Sequence, residues 1–294
     1  MARIGIHTSI AGSLPQAAER AYALGANTFQ IFSSSPRMWR AVVPKPDAVR
    51  LFDRLRQRHD LYPLAIHANY LMNLASDDAV IRPRSIAAFR GELERALAIG
   101  ADYLILHPGS VKAGGDHVRG LALLISGLEE SARGLRLNGL RLLIENTAGS
   151  GGTLGCDLAE VGAVVRHGGL PMGACLDTAH SFAAGFDLSS KSGFRAWIQR
   201  VDETIGIERV FVVHANDSKA PLGSHRDRHE QIGKGGIGLT GFGSIVNHPG
   251  LRDKAFILET PIDREGDDRR NVAALWGLAG KRQKAKGKGQ KAKG

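Results

Sequence analysis

Short apolar runs of five or six residues recur along the chain, and polar or turn residues bound each of them. Between them lie segments such as LPQAAERAYALG and RSIAAFRGELERALAIG, which place apolar residues at helical spacing and end on glycine. Strands that alternate with helices specify a parallel sheet. We count eight strand-like runs: RIGIH (3–7), TFQIF (28–32), PLAIH (63–67), YLILH (103–107), RLLIE (141–145), GACLD (173–177), RVFVVH (209–214) and AFILE (255–259). Eight such units predict an α/β fold, a single-domain (β/α)8 TIM barrel.

Polar residues stand where these runs end. Seven of the eight runs end on His, Asp or Glu, and the eighth, TFQIF, leads into SSSPRMW. In a parallel barrel every strand points its carboxyl end to the same rim, so these side chains meet at one mouth. An open, doubly wound sheet is the alternative architecture, and it would spread the same side chains along a crevice.

The rim residues are of the types that bind transition metals. Imidazole and carboxylate together suit zinc, manganese or iron, and there are more of them than one ion can use. A structural, hydrogen-bonded role is the alternative for any single His, but carboxylates directly after buried runs are costly unless a cation or a metal accompanies them. The rim candidates are His67, His107, Glu145, Asp177, His214 and Glu259.

Two further fragments add candidate ligands. LDTAHSFAAGFD places His180 three residues after Asp177, and RDRH places Asp227 and His229 two residues apart. We expect His180, Asp227 and His229 to form a third metal site. His7 also ends a strand, but it has no acidic partner nearby in the sequence, and we interpret it as supporting or structural.

Composition agrees with one folded barrel. A chain of 294 residues with 43% hydrophobic and 23% charged residues fits a single α/β barrel. Two cysteines, Cys156 and Cys175, are too few for a disulfide framework, and Cys175 is interpreted as a small buried apolar residue. The chain shows neither a membrane-spanning run nor a signal peptide, so we expect no membrane association and a cytoplasmic location.

The positive charge is concentrated at the carboxyl end. The net charge is +10, and the last fifteen residues, GKRQKAKGKGQKAKG, hold six Lys and one Arg with no acid. We therefore divide the chain into a barrel domain at 1–279 and a Lys-rich tail at 280–294, which we expect to be disordered. Attraction to a polyanion is the functional interpretation of the tail, and a solubilising terminus is the alternative.

Five phrases of the chain carry a family resemblance. LHPGS, LIENTAG, LDTAHSFAAGFD, HANDSK and GSHRDRHEQIG, in this order and spacing, resemble the endonuclease IV family of apurinic/apyrimidinic DNA endonucleases. The resemblance runs from about residue 3 to 260 and leaves out the basic tail. It implies a (β/α)8 barrel with three zinc ions per chain that hydrolyses the phosphodiester 5′ of an abasic site. It also makes trimming of blocked 3′ ends an expectation.

The resemblance implies a ligand assignment for this chain. His67, His107 and a bridging Glu145 would hold the first zinc; Glu145, Asp177, His214 and Glu259 the second; and His180, Asp227 and His229 the third. All nine ligand types are present, whereas Ala179, His225 and Lys234 depart from the family pattern, at positions where Cys, Arg and Glu are frequent. Metals a few Å apart lower the pKa of a bound water, so hydroxide can attack phosphorus, and Glu145 would orient it as the catalytic residue.

DNA recognition is expected in the loops around the mouth. Arg37 lies in SSSPRMWR, and Tyr70 and Leu71 lie in HANYLMN. The resemblance gives these three residues a DNA-binding role, in which wedges enter the base stack beside an extruded nucleotide. The alternative is that Trp39, Tyr70 and Leu71 cap the barrel as hydrophobic residues, and this is our interpretation of Trp39. The implied partner is double-stranded DNA that contains abasic sites, the implied state is a monomer, and the enzyme would be nucleoid-associated when it acts on DNA.

Two other functions remain open at this point. Xylose-isomerase-like sugar isomerases or epimerases also use a Glu, Asp, His and Glu set at strand ends, which Glu145, Asp177, His214 and Glu259 would satisfy. The additional ligands favour the nuclease, because an isomerase needs no third metal site. A DNA-binding module without activity is hard to reconcile with nine intact ligands.

Overall fold

A computed structural model of the protein describes residues 2–34, 39 and 43–289, with side chains up to residue 279. Eight parallel strands close into a barrel, as predicted, and β1 completes the circle by pairing with β2 on one side and β10 on the other. The barrel strands are β1 (Arg3–His7), β2 (Thr28–Phe32), β3 (Leu64–His67), β4 (Tyr103–Leu106), β5 (Arg141–Glu145), β6 (Met172–Asp177), β7 (Val210–His214) and β10 (Ala255–Leu258).

Helices surround this barrel. They are α1 (Leu14–Ala23), α2 (Pro46–His59), α3 (Ile81–Ile99), α4 (His117–Ala132), α5 (Leu158–His167), α6 (Thr178–Ala183), α7 (Lys191–Thr204), α8 (Gly238–Asn247) and α9 (Asp267–Gly289), with a 3₁₀ turn at Ile207–Arg209. Within the described part of the chain, no helix is both long and apolar enough to cross a membrane.

One feature of the rim was not predicted. The strands β8 (Asp217–Ser218) and β9 (His229–Glu230) form a two-stranded antiparallel hairpin between β7 and α8. The buried carboxylate of Asp217 accepts hydrogen bonds from the backbone N–H groups of Gly233, Gly235 and Ile237. This carboxylate fixes the loop that follows the hairpin, so β9 holds a defined position at the mouth.

Strand geometry aims the predicted ligands into the barrel. Successive side chains of a strand point to opposite faces, so a residue two positions after an interior side chain points to the same interior. Apolar residues fill the lower interior, namely Ala65, Ile105, Leu143, Cys175, Val212, Ala255 and Ile257. The residue two positions later on five of these strands is a candidate ligand: His67, His107, Glu145, Asp177 or His214. Glu259 follows Ile257 in the same way.

The last helix overlaps the predicted tail. Helix α9 runs over Asp267–Gly289 and therefore includes the first ten residues of the segment 280–294. The ten residues 280–289 combine good helix formers, Lys, Arg, Gln and Ala, with three glycines that disfavour a helix. The disorder predicted for this segment stays a prediction, and residues 290–294 lie outside the described residues.

Candidate metal centre

The structure brings all nine predicted ligands together at the carboxyl end of the barrel. Six of them lie at or directly after strand ends, His180 lies in the short helix α6, and Asp227 and His229 lie in or beside the β8–β9 hairpin. Most are buried, whereas the side chain of Asp227 is 55% exposed at the opening.

The first group is His67, His107 and Glu145. Oε2 of Glu145 lies 3.1 Å from Nε2 of His67 and 3.7 Å from Nε2 of His107. One candidate ligand atom from each residue lies within 4.8 Å of the others, a spacing that one ion can span.

The second group shares Glu145 with the first. Oε1 of Glu145 lies 2.9 Å from Nδ1 of His214, and Oε2 of Glu259 lies 3.3 Å from the same nitrogen. Asp177 completes the group, again with ligand atoms within 4.8 Å of one another. Glu145 therefore turns one carboxylate oxygen to each group, which is the arrangement of a bridging ligand.

The third group includes one residue more than predicted. Nε2 of His180 lies 3.1 Å from Oδ2 of Asp227, and Nε2 of His229 lies 3.2 Å from Oδ1 of Asp227. Candidate ligand atoms of Asp177, His180 and His229 lie within 4.8 Å of one another. Because Asp177 also belongs to the second group, it is shared by the second and third groups. The sequence motif gave no sign of this shared position, because it depends on the direction of the Asp177 side chain at the end of β6.

Three of the imidazoles are oriented by backbone oxygens. Nδ1 of His67 donates to the carbonyl of Ala68 at 2.7 Å. Nδ1 of His180 donates to Asn146 O at 2.9 Å, and Nδ1 of His229 donates to Glu259 O at 3.1 Å. A proton held on Nδ1 leaves Nε2 as the free ligand atom in each ring, which is how metal-binding histidines are usually arranged.

Two buried asparagines that the sequence analysis missed hold Asp177 in place, one through its backbone and one through its carboxylate. Asn146 accepts the backbone N–H of Asp177 at 2.7 Å and donates to Ser181 Oγ. Asn216 donates to Oδ2 of Asp177 at 2.7 Å and accepts the backbone N–H of Glu259. Asn146 directly follows β5 in the letters IEN, and Asn216 lies two residues after β7 in HAN. A polar residue just beyond a strand end was therefore the signal in the sequence that could have identified them.

The electrostatics of the cluster show a need for cations. Burial alone would raise the pKa of Glu145, but His214 and His107 lower it well below its usual value. Burial would likewise lower the pKa of His180, yet Asp177 and Asp227 raise it to about 10. In the described residues, the ion-pair partners of the four cluster carboxylates are all His, with no Lys or Arg among them.

This donor set fits divalent metal. Nε2 of His229 is buried and has no hydrogen bond of suitable geometry, although carboxylate oxygens of Asp227 and Asp177 lie 3.2 and 3.6 Å away. A bare nitrogen that faces two carboxylates is what a shared cation would satisfy. Imidazole and carboxylate ligands of this kind suit zinc, manganese or iron.

Cys175 stands below the cluster. Its sulfur is grouped with Glu145 and His214 within the same 4.8 Å limit. The residue is fully buried, and burial raises the pKa of its thiol to about 12. The neutral thiol packs with the apolar interior, which agrees with the interpretation of Cys175 as a small buried residue.

A cavity of about 290 Å³ opens beside the cluster. His107, Asp227, Tyr70 and Leu71 are among the residues that line it. The ring of Tyr70 is 61% exposed, and its centroid lies 5.4 Å from that of His67. The mouth therefore combines a polar floor with an exposed aromatic wall.

The loop after β2 is described in part. Arg37 lies outside the described residues, so its predicted DNA contact stays a prediction. Trp39 lies within reach of α3, where the guanidinium carbon of Arg84 is 4.6 Å from the centre of the indole. This contact places Trp39 against the outer helix layer.

Known proteins resemble this chain over most of its length. The family model described as a xylose isomerase-like TIM barrel matches residues 18–279. A probable endonuclease 4 of Solibacter usitatus is 52% identical over 282 residues, which cover 95% of this chain and 97% of that protein. The crystal structure of endonuclease IV from Thermus thermophilus superposes with a TM-score of 0.84 at 37% identity, covering 94% of this chain and 98% of the other.

More distant barrels share the fold alone. A D-tagatose 3-epimerase-like protein superposes with a TM-score of 0.70 at 18% identity and covers 96% of this chain and 99% of its own.

Proposed function

Since the chain belongs to the endonuclease IV family of xylose isomerase-like TIM barrels, we propose that it is a DNA repair endonuclease. Its substrate is double-stranded DNA with an abasic site, and it hydrolyses the phosphodiester 5′ of that site. The products are a 3′-hydroxyl and a 5′-deoxyribose phosphate. The reaction is a step of base excision repair, and the cofactor is a cluster of three zinc ions.

The position of Glu145 carries the proposal. Its two oxygens face the His67 and His107 group on one side and His214 on the other. A carboxylate in this position would serve two ions at once. The ligand atoms of Asp177, His180 and His229 lie close enough together to hold a third ion, and Asp227 contacts both histidines. Bound zinc would supply Lewis acidity that neutralises the phosphate and lowers the pKa of water.

The protein's own residues supply positioning. The buried Glu145 carboxylate is fixed by His67 and His214, which hold its two oxygens in defined directions at the mouth. The exposed carboxylate of Asp227 marks the side of the cluster that faces solvent. A phosphate would approach from this side, because the other cluster carboxylates are buried or nearly so.

DNA contacts are proposed at Arg37, Tyr70 and Leu71. Tyr70 and Leu71 are exposed and line the cavity beside the cluster. An aromatic and an aliphatic side chain at this place can replace stacking that is lost when a nucleotide leaves the helix. An abasic nucleotide leaves at little cost, since it has no base to unpair.

The decisive experiment uses a duplex with one synthetic abasic site, labelled in turn at each end of the damaged strand. Zinc-loaded protein is incubated with this duplex and with an undamaged duplex of the same sequence, with and without chelator. We expect chelator-sensitive incision 5′ of the lesion and an intact control duplex. If protein with a full metal complement does not incise the duplex, the proposal is overturned and the sugar isomerase alternative is favoured. That alternative is then tested by assaying the protein with ketose and aldose substrates.

Three finer properties belong to the same proposal. We expect a monomer in light-scattering measurements, and removal of a 3′-phosphate or other blocking group from nicked duplexes. We also expect a cytoplasmic location with recruitment to the nucleoid during repair.

A further inference from the structure

Two barrel strands, β1 and β2, contribute none of the nine candidate ligands, but each places a polar side chain in the interior. Gln30 of β2 is fully buried and stands in register with Ala65 of β3 and His7 of β1. A buried amide in a barrel interior must find partners for its oxygen and for both of its N–H groups.

Gln30 finds these partners among the candidate metal ligands. Its Oε1 lies 2.8 Å from Nε2 of His214. Its Nε2 donates to Oε1 of Glu259 at 2.6 Å and lies 2.9 Å from Nδ1 of His7. One amide therefore spans His214 on β7 and Glu259 after β10, two members of the second ligand group.

These contacts settle which atoms remain for a metal. Because Oε1 of Gln30 only accepts, Nε2 of His214 carries a proton, and the neutral ring keeps its lone pair on Nδ1. That nitrogen is the one that faces Glu145 and Glu259. On Glu259, the hydrogen bond occupies Oε1, so Oε2 is left to face Nδ1 of His214.

His7 fixes the direction of the amide. Its Nδ1 can accept the second N–H of Gln30 but offers nothing to an amide oxygen when unprotonated. A flipped amide would also set its oxygen against the Glu259 carboxylate. The ring of His7 is held against Phe32, with centroids 4.5 Å apart. The interpretation of His7 as a supporting residue thus gains a specific partner, and Glu259 is the acid that the sequence did not reveal.

We propose that Gln30 is a positioning residue that presents Nδ1 of His214 and Oε2 of Glu259 as ligand atoms of the second metal site. This inference deepens the proposed function and rests on it for the presence of metal at the mouth. Gln30 does not touch the substrate. It acts through the tautomer of His214 and the rotation of Glu259, as groups behind metal ligands commonly do.

The test compares Gln30→Met with the parent protein. Met has a similar shape and volume but cannot make the three polar contacts. We expect the weakest-bound zinc to lose about 10- to 100-fold in affinity, the usual effect of removing a partner behind a ligand. Zinc affinity is measured by competition with a chromophoric chelator, in the absence of DNA.

Gln30→Glu is the second variant, and it separates the two contacts. A carboxylate at this position still accepts from Nε2 of His214, but it repels Glu259. In zinc-loaded protein, the Nε2–H proton of His214 should therefore show the ¹H shift and slow solvent exchange of a hydrogen-bonded proton in the parent and in Gln30→Glu. In Gln30→Met the same proton should lose its hydrogen bond and exchange faster. This variant keeps the test available if Gln30→Met does not fold.

Thr28→Val is the matched control. Thr28 is buried in the same strand, and its hydroxyl donates to Pro63 O at 2.6 Å, away from the cluster. We expect this variant to bind zinc as the parent does. Zinc affinity within twofold of the parent and an unchanged His214 signal in Gln30→Met would overturn the inference. Because neither measurement needs DNA, failure of the parent to incise an abasic duplex would reject the proposed function and leave this test unaffected.

Discussion

The side-chain amide of Asn216 donates a hydrogen bond of 2.7 Å to Oδ2 of Asp177, and both side chains are fully buried. The same amide accepts the backbone N–H of Glu259 through its oxygen. Asn216 thus ties the end of β6 to the residue after β10, across β7. Since Asp177 stands between the second and third ligand groups, Asn216 sets the direction of a carboxylate on which both depend.

Replacing Asn216 by Ala should weaken both the fold and the metal site. The change leaves a buried carboxylate oxygen and a buried N–H without a partner, so the free energy of unfolding should fall by about 2 to 5 kcal/mol. Urea denaturation measures this loss, and zinc analysis should show incomplete loading. Gln199→Ala removes an exposed amide from α7 and serves as the control. Equal stability and zinc content in both variants would contradict the role given to Asn216.

Glu145→Gln should abolish incision while the barrel stays folded. The substitution keeps shape but removes the charge that faces both groups, so one bridging oxygen becomes an amide nitrogen that cannot bind metal. We expect incision of an abasic duplex to fall by about three orders of magnitude or more. Glu203→Gln, an exposed change in α7, should leave the rate unchanged. A rate within tenfold of the parent would reject the assignment of Glu145.

The sequence predicts the barrel and the side chains that meet at its mouth, because strand periodicity alone turns residues such as His67 and Glu145 toward the same end. What it could not predict depends on side-chain directions across the barrel. Gln30 contacts Glu259, which is 229 positions away in the chain. The β8–β9 hairpin was missed because two-residue strands carry no periodic pattern. The contacts of Asp177 with the third group likewise follow from packing that no local motif encodes.

A buried ion pair beside the end of β2 should be important for stability. Arg95 lies 3.0 Å from the carboxylate of Glu92 and donates to Ser33 Oγ at 2.8 Å, and all three are buried. Arg95→Met leaves Glu92 as an uncompensated buried charge, which should cost about 3 to 5 kcal/mol in denaturant unfolding.

The surface offers a control for this pair. Arg50 forms an exposed pair with Asp47 in α2, and Arg50→Met should cost less than about 1 kcal/mol. If both Arg variants lose the same small amount of stability, then the buried pair of Arg95 and Glu92 contributes no more than the exposed pair.

Zinc should stabilise the folded chain. The four cluster carboxylates have only His partners in the described residues, so a bound cation relieves their repulsion. An ion present at about 1,000 times its dissociation constant adds about 4 kcal/mol to the free energy of unfolding. Thermal unfolding after chelation and after return of zinc measures the effect. His229→Ala lacks the Nε2 atom that faces Asp177 and Asp227, so it should regain less of this stability when zinc is returned. His117→Ala, a change at the surface, should respond to zinc as the parent does. No shift on return of zinc would argue against a zinc site.

Deleting residues 280–294 should change how tightly the protein binds DNA more than how fast it cuts. The deletion lowers the net charge from +10 to +3. It leaves the packed part of α9 intact, because Leu275 is buried and the carbonyl of Leu278 accepts a hydrogen bond from Asn247. Each Lys or Arg that contacts a phosphate steepens the dependence of log K on log salt by about 0.9. If the tail contacts DNA, the truncated protein therefore shows weaker binding and a flatter slope, with an unchanged single-turnover rate at saturation.

A full-length variant with the seven basic tail residues replaced by Gln separates charge from length and should behave like the deletion. An unchanged salt slope in both variants would assign DNA binding to the barrel mouth alone.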